Sequence, residues 1–239
     1  MGQIRLYIPH CLSAESLIGL DESQSHYLIH VMKRQVGDSL LCFDNQSGEY
    51  ECTIAETGKK HCTLAIQEQQ KPYYLPPDIW LVFAPIKKDN TDFIVQKATE
   101  LGVRKIVPVQ TRYTISDRIK KERFVAQTIE AAEQCRRVDL PEVEDMTDFE
   151  SLLKSWPIER KLYYLDETLN GLSPAQAFSN ENKCAILVGP EGGFSKQELD
   201  QLRKSSFAAA VTLGPRILRA ETAAVASLSC WQALRGDWK

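Results

Sequence analysis

The 239-residue sequence has no apolar run of about 18 residues, so it offers no candidate for a membrane-spanning helix. Its first ten residues, MGQIRLYIPH, lack the basic region, apolar stretch and small-residue cleavage site of an export signal. A soluble, cytoplasmic protein without membrane contact is therefore expected. Cysteine pairs are missing too. The seven cysteines (Cys11, Cys42, Cys52, Cys62, Cys135, Cys184, Cys230) are scattered with no C-x-x-C, mostly inside apolar runs, which argues against a disulfide framework and a zinc site. The dinucleotide fingerprint G-x-G-x-x-G, the phosphate loop G-x-x-x-x-G-K-[ST] and the nucleophile elbow G-x-S-x-G are all absent. All four histidines (His10, His26, His30, His61) lie near the amino terminus, so a histidine-dependent hydrolase further along the chain is disfavoured. His26 and His30 have the i, i+4 spacing of helical metal ligands, but Tyr27 replaces the Glu of H-E-x-x-H and no third ligand follows. No metal is expected.

What is present is an ordinary globular composition, 43% hydrophobic, enough for two modest cores. The net charge of −3 conceals a contrast, because residues 102–137 hold nine Lys/Arg against four acids. That basic stretch suits a polyanion such as RNA, and equally an ordinary solvated helix face.

The pattern divides at KPYYLPP (71–77), whose three prolines cannot continue a ladder or a helix. Within 1–70, the segments QIRLYI, SLLCFD, EYECTIAE and CTLAIQE read as short strands between polar turns. One helix, HYLIHVMK, interrupts them, with Leu28, Val31 and Met32 on a common face, and a small β-barrel is expected. From 78 to 239 strands alternate with helices: IWLVFAP, the amphipathic DNTDFIVQKATELG closed by Gly102, RKIVPVQ, a helix over 121–137, KLYYLD, CAILVG and AAVTLG, with helices at 195–205 and 221–235. This predicts an α/β domain with a mainly parallel sheet covered on both faces, and chemistry in the loops after LYYLD, AILVG and AVTLG.

Two of those loops carry unusual residues. LVGPEGGFS (187–195) leads into SKQELDQL, where Ser195 and Glu198 have capping-box spacing, and its glycines let a ligand approach the backbone. LGPRILRAET (213–222) places two arginines and a carboxylate at a strand-to-helix junction before the small-residue helix TAAVASLSCWQAL. Arg219 and Glu221 are there either as part of a polar cluster or as a surface pair of little energetic weight.

Together these segments resemble the RsmE family, the bacterial 16S ribosomal RNA (uracil-N3)-methyltransferases. The matching stretches are HYLIHVMKRQVGD, APIKKDNTDFIVQKATELGV, EAAEQCRR, LVGPEGGFS and LGPRILRAETAA. The resemblance implies a SPOUT-type, trefoil-knotted parallel-sheet methyltransferase domain preceded by a PUA-like RNA-binding β-barrel, in a homodimer acting on 16S rRNA within the 30S subunit. A knot lies beyond pattern reasoning, since unknotted connections are the default. Three positions depart from the family pattern: Ala220 replaces Thr in the LRTET segment, Arg136 stands where Gly is frequent, and PIKKD replaces PKGD.

The implied cofactor is S-adenosyl-L-methionine, held against backbone at Leu187, Gly189, Gly193, Leu213, Gly214 and Leu218. Uracil N3 is a weak nucleophile while protonated, so a cation near O2 or O4 must favour the anion, and Arg219 is the candidate. Glu191 or Glu221 would accept the proton. The candidate phosphate contacts are Lys33, Arg34, Arg104, Lys105, Arg112, Arg118, Lys120, Lys121, Arg123, Arg136 and Arg137. Two rivals stand beside this reading: a methyltransferase for another RNA base, and a non-catalytic RNA-binding factor of ribosome assembly.

Overall fold

The computed structural model describes residues 3–115, 119–168, 171–178 and 183–238. They form two compact units, Met1–Leu75 with Ala132–Leu140, and Pro76–Ala131 with Pro141–Lys239.

In the first unit, β1 (Arg5–Tyr7), β2 (Leu17–Gly19), β3 (Ser39–Phe43), β4 (Gly48–Thr57) and β5 (Cys62–Pro72) make a sheet in the order β1-β3-β4-β5-β2. Only β1–β3 is parallel. Register shifts along the β4–β5 ladder, where one strand carries extra residues, bend the sheet around a core that includes Leu6, Ile8, Leu28, Leu40, Ile54 and Leu64. β5 runs through Pro72, further than the local proline content suggests, because Pro72 is its last residue and a missing N–H is tolerated at a strand end.

The expected single helix over HYLIHVMK is two elements. α1 (Glu22–His26) starts on an Asp21 cap, and a π-helical turn over Tyr27–Val31 follows. The wider turn, closed by Met32 N–H donating to Tyr27 O at 2.9 Å, rotates Val31 outward to 57% exposure while Leu28 stays buried. Leu28 and Val31 therefore do not share a face.

Arg5 closes this unit. Its guanidinium, buried, donates to Glu49 Oε2 at 2.5 Å and to the carbonyls of Ala132 (2.6 Å), Glu133 (3.1 Å) and Arg137 (3.0 Å). Lys71 Nζ lies 3.2 Å from the other oxygen of Glu49, so the buried charges are partnered.

In the second unit, β6 (Ile79–Phe83), α2 (Lys88–Glu100), β7 (Lys105–Gln110), α3 (Lys121–Cys135, whose last turn belongs to the first unit), β8 (Glu142–Val143), β9 (Thr147–Asp148), α4 (Phe149–Lys154), β10 (Lys161–Leu165), α5 (Pro174–Ala177), β11 (Cys184–Val188), α6 (Lys196–Lys204), β12 (Ala208–Val211) and α7 (Ala220–Leu234) follow in order. The sheet order is β12-β10-β11-β6-β7-β8, and every pair is parallel. Alternate residues of the central strands feed two cores. Ile79, Leu81 and Phe83 of β6 with Ile186 and Val188 of β11 meet Val95 of α2, Phe124 of α3 and Ala224 and Trp231 of α7. Val82, Ala185, Leu187 and Tyr164 meet Phe149 of α4 and Leu202 of α6 on the opposite face. Burial on both faces explains why these strands read as continuous apolar runs. The first two turns of α7 approach closely because their buried residues, Ala220, Ala223, Ala224 and Ser227, are small, and Gln232 Nε2 donates to Leu101 O at 2.6 Å beside Gly102, which ends α2 at φ +73°.

Two stability predictions follow from these contacts. Arg5→Met should lower unfolding free energy by about 3–5 kcal/mol in urea denaturation, because Glu49 is left buried with Lys71 alone. Arg136 follows α3 with φ +63°, a left-handed conformation that costs an L-residue about 1 kcal/mol. Arg136→Gly should therefore stabilise the protein by about 0.5–1 kcal/mol in the same assay.

Candidate active site

Three loops at the carboxyl ends of adjacent parallel strands β10, β11 and β12 enclose a cavity of about 250 Å³. Their shape follows from the glycines. Gly193 has φ +67° and its N–H donates to Pro190 O at 2.9 Å, while Gly214 has φ +99° with open space where a side chain would be. A Cβ on Gly193 would lie 2.6 Å from Glu167 Oε1, and one on Gly189 3.1 Å from the Phe194 ring. Side chains at these two positions would collide with Glu167 and Phe194, so the loop can pack this way only with glycine there.

The capping box forms as the spacing predicts. Ser195 N donates to Glu198 Oε2 at 2.7 Å and Glu198 N to Ser195 Oγ at 3.3 Å, opening α6 directly after the glycine loop. Glu198 does more than the spacing implies, because its Oε1 accepts from Arg112 N at 2.8 Å and so ties the loop after β7 to the same point.

Of the residues predicted to face a cofactor, Gly189, Gly193, Leu213, Gly214 and Leu218 line the cavity, as do Glu191 and Arg219. Leu187 is not among the lining residues; its side chain is fully buried in the core beneath α4 and α6, whereas the expected contact is to its backbone. Glu221 is not a lining residue either. It is the second residue of α7, and its Oε2 is buried without a hydrogen-bond partner among the described residues. Arg219 is exposed and forms no ion pair with Glu221, which removes the surface-pair reading. The sequence reading missed Asp166 and Glu167, which line the cavity after β10. Asp166 is buried, accepts from Thr168 N at 2.8 Å and lies 3.8 Å from Arg203. The two acids directly following the LYYL strand were the available signal.

The predicted phosphate contacts separate into engaged and free side chains. Arg137 is buried and bidentate to Asp139 at 2.8 and 2.7 Å, so it has no guanidinium edge for phosphate. Lys105 lies between Glu142 (2.9 Å) and Glu144 (2.7 Å) over the Trp80 ring. Burial works against its charge, but the two carboxylates outweigh it and raise the Lys105 pKa. Arg123 pairs with Asp92, Lys121 lies 3.5 Å from Asp145, and Arg104 donates to Pro76 O. These internal pairs correct the picture of a uniformly available basic stretch. Arg112, Lys120 and Arg136 are exposed and in no ion pair among the described residues; Lys33 is exposed with φ +54°, and Arg34 is 3.8 Å from Asp38. Arg118 lies outside the described residues.

Among the described residues no group of three or more His, Cys, Asp or Glu is arranged to hold a metal ion, and no helix is long and apolar enough to cross a membrane.

Residues 74–232 match the family model of an RNA methyltransferase domain, and residues 20–67 that of an RNA methyltransferase PUA domain. The chain is 32% identical to the ribosomal RNA small subunit methyltransferase E of Rickettsia conorii, over 94% of this chain and 93% of that protein. The Bacillus subtilis protein of the same name is 30% identical, over 89% and 90% of the two chains. Among solved structures, the Neisseria gonorrhoeae ribosomal RNA small subunit methyltransferase E bound to S-adenosyl methionine superposes with a TM-score of 0.91 at 28% identity, covering both chains completely. A Legionella pneumophila methyltransferase in complex with the same cofactor gives 0.90 at 28% identity over 99% of this chain and 100% of that one.

Glu198→Ala should lower stability by about 1–2 kcal/mol through loss of the cap and of the Arg112 tether, measured by urea unfolding. Glu198→Gln, which still accepts through one oxygen, should lose about half of that.

Proposed function

Because the chain belongs to the ribosomal RNA small subunit methyltransferase E family, we propose that it transfers a methyl group from S-adenosyl-L-methionine to N3 of a uridine near the 3′ end of 16S rRNA, as a knotted homodimer acting on the 30S subunit in the cytoplasm. The observation that carries the reading is the cavity at β10, β11 and β12, where glycines expose backbone and Arg219 and Glu191 share the lining. The residues fit the cofactor: Gly189, Gly193 and Gly214 line the cavity with main chain, open space lies beside Gly214, and Leu213 and Leu218 offer apolar surface. When bound, it supplies an activated methyl group and its own thioether leaving group.

The rest of the chemistry belongs to the chain. N3 lies on the Watson–Crick edge, so the uridine enters unpaired. Arg219, exposed and in no ion pair among the described residues, has its guanidinium free for a uracil carbonyl oxygen, where it stabilises the N3 anion. Glu191 is the better-placed proton acceptor, since it lines the cavity and Glu221 does not. Ala220, buried at the start of α7, supplies no hydroxyl, so the reaction in this chain runs without one there. Arg112, Lys120, Lys33 and Arg136 remain as candidate phosphate contacts.

Arg219→Ala should slow single-turnover methylation of 30S particles by about 2.7–4 kcal/mol, with cofactor affinity by calorimetry nearly unchanged. Raising the pH from about 7 to 10 should partly restore the variant, because more uracil is already ionised, and Lys at 219 should rescue little. A deficit that is constant with pH, or a loss of cofactor binding, would assign Arg219 to binding and redirect the search to Arg216.

A further inference from the structure

The turn after β7 has an unusual construction for a surface loop. Thr111 N donates to Thr114 Oγ1 at 2.8 Å, Thr114 N to Thr111 O at 3.2 Å, and the two threonine hydroxyls are 2.9 Å apart. Glu198 holds Arg112 N from outside, so both ends and the middle of the turn are fixed. At its tip stand Arg112, exposed, and Tyr113, 50% exposed. The root of Tyr113 packs on the glycine loop: a Cβ on Gly192 would lie 3.1 Å from Tyr113 Cβ and 3.4 Å from Cγ. Gly192 sits between Glu191 and Gly193, both of which line the cavity. The tyrosine ring thus stands at the cavity rim, on a backbone already ordered, with a cation beside it.

We propose that Tyr113 is a substrate-binding residue whose ring stacks on the unpaired pyrimidine entering the cavity, while Arg112 contacts an adjoining phosphate. The proposal rests on the RNA-methylating reading of the site. Single-stranded nucleic acid is held by this combination, an aromatic face for the base and a cation for the backbone. A ring on a rigid turn loses little freedom when the base arrives, so the stacking energy is retained as affinity. Half of Tyr113 faces solvent, and its contact with Gly192 runs through Cβ, Cγ and one ring edge, with Cδ2 3.6 Å from a Cβ placed there, which leaves ring surface open to a base.

The test uses full-length Tyr113→Ala, Tyr113→Leu and Tyr113→Phe proteins with unmethylated 30S particles. Equilibrium binding to the particles is measured alongside cofactor affinity by calorimetry and the single-turnover rate at saturating particles. Ala and Leu should weaken particle binding roughly 5- to 150-fold, the range for losing one base–aromatic stack, and Phe should stay within about twofold. Cofactor affinity should be unchanged in all three. Wild-type particle affinity in the Ala or Leu variant overturns the proposal, as does a loss of the same size in Phe, which would implicate the hydroxyl. Weakened cofactor binding in Tyr113→Ala also overturns it, making the residue a support for the glycine loop. A wild-type protein that binds cofactor but methylates no RNA would instead remove the reading on which the proposal rests.

Discussion

The site depends on a single buried carboxylate. Glu198 accepts from Ser195 N, three positions away, and from Arg112 N, 86 positions away, and neither bond requires a cation. One bond fixes where α6 begins and hence the path of the glycine loop; the other fixes the turn that carries Arg112 and Tyr113. Had Glu198 found a lysine partner instead, its oxygens would be directed elsewhere and the two loops would have no common anchor. Backbone N–H groups at a helix start suit an anion, so the carboxylate is stabilised without the neutralising partner that a buried acid ordinarily needs.

Local pattern carried much of the architecture. Alternating strands and helices, Gly102 at the end of α2, and the Ser195–Glu198 box are all consequences of neighbours in sequence, and each lies where the spacing puts it. The cavity loops were legible for the same reason, since a glycine cluster following an apolar run needs only short-range rules. What escaped depends on contacts distant in sequence. The short β2, β8 and β9 exist through their partners and have too few residues to show a period. The π-helical turn at Tyr27–Val31 differs from an α-helix by one residue per turn, a distinction that apolar spacing over eight residues does not resolve. The second bond of Glu198 crosses 86 positions. The knot and the homodimer rested on family resemblance alone.

Charge was the least transferable inference. A count of lysines and arginines over 102–137 describes the chain before it folds, and folding then pairs many of them with acids drawn from other segments. Asp92, Glu142, Glu144 and Asp145 come from α2 and from the β8–β9 region, and Asp139 stands two residues from Arg137. A basic run therefore reports what a segment carries, whereas the field available to a phosphate is what remains after these pairs form. Outside the first unit, Arg112, Lys120 and Arg104, which meets the Pro76 carbonyl and no acid, are what remains of that run among the described side chains.

Arg5 also places a condition on time. Its carbonyl acceptors on Ala132 and Arg137 lie 127 and 132 positions downstream, so during synthesis they leave the ribosome on the order of ten seconds after Arg5 itself. Until then the nascent sheet holds a guanidinium with Glu49 and Lys71 for company and several donors unmet. The amino-terminal unit is consequently begun first but stays incomplete until Ala132–Leu140 have emerged, and in that interval its strands are open to chaperones and to wrong pairings.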